Sequence, residues 1–182
     1  MNILIGHIEH SMPHRLRRAP HAAAGLAALL LLSALTPDTA NAATAATTMP
    51  VTMTITAGCT VTATSVAFGS QSVLAAATSG TGTLGVTCTN TTPYNVGLDA
   101  GSGAGATVAV RKMTGPASAI INYGLFQNAA FTTAFGNTIG TNTVAGTGIG
   151  TSQTITVYGQ VPAQSSPAPG SYADVVNVTV TF

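Results

Sequence analysis

The residues able to do chemistry are few, and most of the classical ones crowd into the first 42 positions. His7, His10, His14 and His21 are the only histidines of the 182-residue chain, and Glu9 is its only glutamate. Beyond position 42 the charged side chains are Asp99, Arg111, Lys112 and Asp174, and the thiols are Cys59 and Cys88. A histidine-based triad or a His-containing zinc site has no residues to draw on there. Paired-carboxylate catalysis would have to use Asp99 and Asp174. The glycine-rich stretches Gly101–Gly105 and Gly146–Gly150 lack the Gly-Lys-Ser/Thr ending of a phosphate loop and the spacing of a dinucleotide fold. They read as turns between strands. The sequence therefore points away from an enzyme and calls for neither metal nor cofactor.

Charge says the same of macromolecular ligands. Charged residues make up 5% of the chain, against about a quarter in an ordinary soluble protein. Nothing is left to grip nucleic-acid phosphates or an anionic bilayer. No nucleic-acid partner is expected.

The N-terminal segment carries Arg15, Arg17 and Arg18, followed by an apolar run from Ala22 to Leu35 and then Ala40-Asn41-Ala42. A basic region, a short apolar region and a small-x-small site together read as a secretory signal over residues 1–42, with Met12 as an alternative start. The apolar run is too short to cross a hydrocarbon core of about 30 Å as a helix, though a single membrane anchor is the competing reading. Cleavage after Ala42 leaves 140 residues. In an exported chain two cysteines imply one disulfide, Cys59–Cys88, stabilising by roughly 3–4 kcal/mol; two buried free thiols are the alternative.

Strand periodicity dominates what remains. Met49, Val51, Met53 and Ile55 alternate with smaller or polar residues, and so do Leu84, Val86, Cys88 and Tyr94, Val96, Leu98. Ile155 and Val157 repeat the pattern, and Val176, Val178, Val180 and Phe182 close it. Period-two alternation broken by Gly, Pro, Asn and Ser clusters predicts an all-β sandwich of one domain. The first of these strands sits oddly, after a loose Ala/Thr stretch and before Ala57-Gly58. The chain has almost no charge with which to blunt an exposed edge.

At this point the residues resemble a family. Thr56-Ala57-Gly58-Cys59-Thr60-Val61, Phe68-Gly69, Val86-Thr87-Cys88-Thr89 and Pro93 to Gly101 are similar to the spore coat protein U domain. So are Val157-Tyr158-Gly159-Gln160-Val161-Pro162 and the stretch from Pro169 to Phe182. That family includes coat proteins and the subunits of archaic (Csu-type) chaperone–usher pili. The resemblance implies an incomplete immunoglobulin-like β-sandwich completed by donor-strand exchange. Residues 43–57 would be the donor segment, with Met49, Val51, Met53 and Ile55 as its inserting side chains. Residues 58–182 would be the sandwich, with Val176, Val178, Val180 and Phe182 on the groove-edge strand. The implied partners are a periplasmic pilus chaperone, an outer-membrane usher and neighbouring identical or related subunits. The implied destination is the cell surface. With 140 residues after cleavage, the expected role is a shaft or minor pilin serving adhesion and biofilm formation. A non-fimbrial coat protein or small adhesive module, closing its own sandwich, is the alternative.

Overall fold

The computed structural model describes residues 42–182. The signal expected over 1–42, with its alternative start at Met12, lies outside the described residues except for Ala42. Residues 42–49 carry no hydrogen-bonded secondary structure and are exposed. No helix among the described residues is long and apolar enough to cross a membrane.

From Pro50 onward the chain builds eight strands: β1 (Cys59–Ala63), β2 (Thr78–Cys88), β3 (Pro93–Leu98), β4 (Arg111–Thr114), β5 (Ile120–Phe126), β6 (Val144–Thr147), β7 (Ser152–Val161) and β8 (Val178–Thr181). One sheet has the order β1-β2-β7-β5-β4 and the other β6-β3-β8, with every neighbouring pair antiparallel. The expected all-β sandwich is what the chain forms.

Alternation explains the layering. On β2, Leu84, Val86 and Cys88 are buried, while Thr81, Thr83 and Thr87 point away from the core. Tyr94, Val96 and Leu98 of β3 meet them from the opposite sheet, and Tyr123 and Leu125 of β5, Val157 and Val161 of β7 and the loop residue Phe135 complete the core. β-Branched threonine is well suited to the outer face, because its branch favours extended backbone while its hydroxyl stays wet. The disulfide Cys59–Cys88 lies across a directly paired position of β1 and β2, 4.1 Å between Cα atoms, and closes a separation of 29 residues. It ties an early strand to its neighbour, as the sequence implied.

Two glycines show how the interior is filled. A Cβ on Gly82 would lie 2.9 Å from Val66 Cγ2, and one on Gly159 would lie 2.6 Å from Val66 Cγ1 and 2.9 Å from Phe68 Cζ. The chain leaving β1 therefore crosses over β2 and β7 with Val66 and Phe68 turned into the sandwich, and only glycine leaves room beneath them.

Two expected strands differ from the sequence reading. Met49 to Ile55 forms no strand at all. Its alternation is real, but no edge among the described residues pairs with it. The last strand is shorter than Val176 to Phe182: β8 covers Val178–Thr181, because the groups of Asn177 are taken up by Asp99 and Phe182 lies beyond the paired register.

Candidate functional site

β8 is the outer strand of its sheet. It pairs with β3 through Leu98↔Val178, Gly97↔Thr179, Val96↔Val180 and Asn95↔Thr181, and no strand among the described residues covers its other edge. β1 is likewise the outer strand of the larger sheet, and the two face each other across the open side of the sandwich. On β1 the pairs Gly58/Thr89 and Thr64/Thr83 are hydrogen-bonded to β2, so the alternate residues Cys59, Val61 and Ala63 turn their peptide groups outward.

A groove opens where the Ala63 end of β1 approaches Val178 of β8. Its first part, about 330 Å³, is floored by Leu84, Leu125 and Val157 and walled by Val66, Val176 and Val178. A second part of about 740 Å³ continues between residues 66–74 and 166–172, and the two share Val66, Phe68, Met113 and Tyr172. Val176 and Val178, which line it, are half-buried, and so is Val180 on β8, whereas Phe182 is 58% exposed.

The same chain carries an apolar strip with nothing to pack on. Met49 is 82% exposed, Val51 and Met53 are each 87% exposed, and Ile55 is 74% exposed. In an extended chain these four share one face. Met49 to Ile55 spans seven residues, about 20 Å extended at about 3.3 Å per residue, and β8 presents an uncovered edge of four residues, Val178–Thr181.

The charged residues, which sequence reasoning left as remnants, turn out to brace one end of this groove. Arg111 is 0% exposed. Its Nε donates to the Asp99 carbonyl (2.8 Å), Nη1 to Val108 (3.2 Å), and Nη2 to the carbonyls of Leu98 (3.2 Å) and Phe135 (2.7 Å). It pins the end of β3 to β4 and to the loop at Phe135. Burial lowers the Arg111 pKa, opposed by the nearby Tyr123, Asp99 and Asp174 groups.

Asp99 and Asp174 hold the approach to β8. Asp99 Oδ1 accepts from the N–H groups of Gly101 (2.9 Å) and Asn177 (3.0 Å), and Oδ2 accepts from Asn177 Nδ2 (2.6 Å). Asp174 Oδ1 accepts from the Ser102 N–H, the Ser102 hydroxyl and the Val175 N–H, each at 2.8 Å, and Oδ2 accepts from the Tyr123 hydroxyl (2.7 Å). Burial pushes both carboxyls up, but the hydrogen bonds outweigh it and both sit below the usual carboxylate range. Burial, then the bond to Asp174, pushes the Tyr123 hydroxyl above its ordinary value. Every oxygen of the two carboxylates is engaged in structure. Lys112 donates to the Ala104 carbonyl (3.2 Å) and stays at the surface. No signal in the sequence separates the buried Arg111 from the adjacent half-buried Lys112, except that Arg111 opens a strand at an inward register.

Comparison with known proteins agrees with this architecture. Protein U of Myxococcus xanthus is 37% identical over 108 residues, which cover 57% of this chain and 60% of that protein. A chain in the crystal structure of the chaperone–tip adhesion subunit pre-assembly complex, from the archaic chaperone–usher Csu pili of Acinetobacter baumannii, superposes with a TM-score of 0.53. It is 26% identical, and the match covers 71% of this chain and 40% of that one. The chain thus spans well under two thirds of the length of both relatives. Residues 45–179, the apolar strip and nearly all of the sandwich, match the model of the Spore Coat Protein U domain, and the chain belongs to that family.

Proposed function

We propose that this protein is an exported structural subunit, a shaft or minor pilin, of a chaperone–usher pilus, and that it polymerises by lending Met49–Ile55 to the groove of the next subunit. One observation carries the reading: a single chain holds both an exposed apolar strip and, beside the uncovered β8 edge, an apolar groove. Strand addition to an open edge uses main-chain hydrogen bonds for affinity and alternate side-chain pockets for register. Inserting Met49, Val51, Met53 and Ile55 would contribute about 1.5–3 kcal/mol each, so roughly 6–12 kcal/mol together as an upper bound. Met suits such pockets because it is unbranched and adapts to irregular walls.

The reading extends to partners and place. Before assembly the β8 edge, Val176, Val178, Val180 and Phe182, is the surface a periplasmic chaperone would cover. An outer-membrane usher would exchange that chaperone for the next subunit's strip. The fibre would end at the cell surface and serve adhesion and biofilm formation. The Csu pre-assembly complex, which joins a chaperone to a pilus tip adhesion subunit, supports a partner of this class.

A second reading has an observation of its own. The 37% identity to protein U, within a family named for a spore coat, favours a non-fimbrial coat or adhesive module. The two differ in whether Met49–Ile55 pairs with another chain. Deleting Ala43–Ile55 tests this: the pilin reading expects an exported monomer and no fibres by native electrophoresis and electron microscopy. Fibres of ordinary length from the deletion variant would remove the donor role.

A further inference from the structure

The apolar strip holds most of the reactive sulfur of the exported chain. Residues 42–182 contain three methionines, Met49, Met53 and Met113, and the first two lie in the strip. The other readily oxidised side chains are missing or already spent. The chain has no tryptophan, residues 42–182 have no histidine, and Cys59 is bonded to Cys88, with no free cysteine among the described residues. A mild two-electron oxidant acting on this part of the molecule is left with the thioethers as its main targets.

Exposure then separates the three. Met49 and Met53 are almost wholly open to solvent, whereas Met113 on β4 is half-buried against the core. Apolar burial alone does not call for methionine in the strip, since Val51 and Ile55 serve it with branched side chains better suited to extended backbone. Alternation puts both sulfurs on the face that would enter a groove. In the first part of the groove, the hydroxyls of Thr64, Tyr123 and Tyr172 already donate to Thr83, Asp174 and Ala168. Ser65, the remaining hydroxyl, sits at the exposed margin. A sulfoxide oxygen seated there would lose its water and gain no donor in return.

We propose that Met49 and Met53 form a paired oxidation site for hydroperoxides, and that their oxidation withholds the subunit from assembly. The sulfur lone pair attacks one peroxide oxygen, so that an S–O bond forms and the O–O bond breaks. Sulfur is oxidised by two electrons, and the departing hydroxide takes the remaining peroxide proton and leaves as water. A thiol-dependent methionine sulfoxide reductase reverses the change, two thiols becoming a disulfide while the oxygen leaves as water. The effect on assembly rests on the donor-strand reading of Met49–Ile55. It adds that the strip is redox-sensitive while free and shielded once inserted.

The test treats the exported parent chain and the Met49→Leu/Met53→Leu variant with dilute hydrogen peroxide, both as monomer and as preformed fibre. Peptide mass spectrometry locates the added oxygen, and native electrophoresis follows polymer. In the monomer, Met49 and Met53 should oxidise before Met113. Association of the doubly oxidised parent should fall at least roughly ten-fold, the equilibrium equivalent of burying one unpaired polar group. Reductases for both sulfoxide epimers should restore it. The Leu variant should polymerise equally with and without peroxide, and fibres of the parent should resist oxidation at both positions. Parental association of the doubly oxidised chain would overturn the proposal, and so would equal inhibition of the Leu variant, which would place the effect elsewhere. Failure of the donor-strand reading looks different: Met49 and Met53 would oxidise as fast in fibres as in monomer.

Discussion

Replacing Val51 and Met53 together with Asp gives a perturbation whose size can be worked out. Both side chains are almost fully exposed in the single chain, so neither substitution disturbs the sandwich, and export and folding should be unchanged. The cost appears on insertion. Each variant side chain forfeits about 1.5–3 kcal/mol of apolar burial. Each carboxylate, finding no charge partner in the groove, enters most cheaply as the neutral acid. Protonating a group of ordinary pKa, about 3.9, at pH 7 costs about 4 kcal/mol. The two changes thus remove roughly 11–14 kcal/mol, as much as or more than the roughly 6–12 kcal/mol that bounds the whole apolar strip. Subunits should be captured by the chaperone and never joined, as read by native electrophoresis and by electron microscopy of producing cells. The proton term also predicts a rescue. At pH 4 most of the protonation cost vanishes, so purified Asp variant should regain measurable association there, while the Val51→Asn/Met53→Asn control should not respond to pH. Fibres of normal length from the Asp variant at pH 7 would refute the reasoning outright.

Three further outcomes follow from the sandwich itself. Cys59→Ser opens the loop of 29 residues and should lower unfolding free energy by about 3–4 kcal/mol in urea titrations, with reductant producing the same loss in the parent. Arg111→Met leaves the carbonyls of Asp99, Leu98 and Phe135 without their donor and should cost about 3 kcal/mol or more in the same assay, with Arg111→Lys unable to span all of them. Stability should be flat from about pH 5 to pH 9, since residues 42–182 contain no histidine. Asp99 and Asp174 are depressed in the folded state, so their contribution is complete above about pH 4 and is lost as pH falls below it. Tyr123 is raised, so its contribution holds below about pH 10 and is lost at higher pH; thermal melts across the range check both limbs.

Alternation made β2, β3 and β7 legible, because each has one face buried and the other wet. β5 was hidden: Ile120–Phe126 has apolar residues on both faces and a glycine in its middle, so no period stands out. β4 opens with Arg111-Lys112, two adjacent cations that tertiary packing treats differently, burying the first fully and the second only in part. β6 contains Gly146, and that glycine belonged to a stretch readable as turn; the side chain of Tyr94 packs where its Cβ would be. The apolar strip was legible as an alternating segment but not as an unpaired one, because periodicity reports a buried face without saying which molecule buries it. The braces at Asp99, Arg111 and Asp174 were invisible for a related reason, since their partners are mostly backbone groups from distant elements.

The most direct measurement is a titration of the sandwich lacking residues 43–57 with a synthetic peptide of Pro50–Ala57 extended to Met49, followed by amide exchange at β8. Insertion predicts saturable binding and slowed exchange along the outer edge of Val178–Thr181, both abolished when the peptide carries Asp at positions 51 and 53. Binding that leaves β8 exchanging at its free rate, or no binding by a folded domain, would contradict donor-strand assembly.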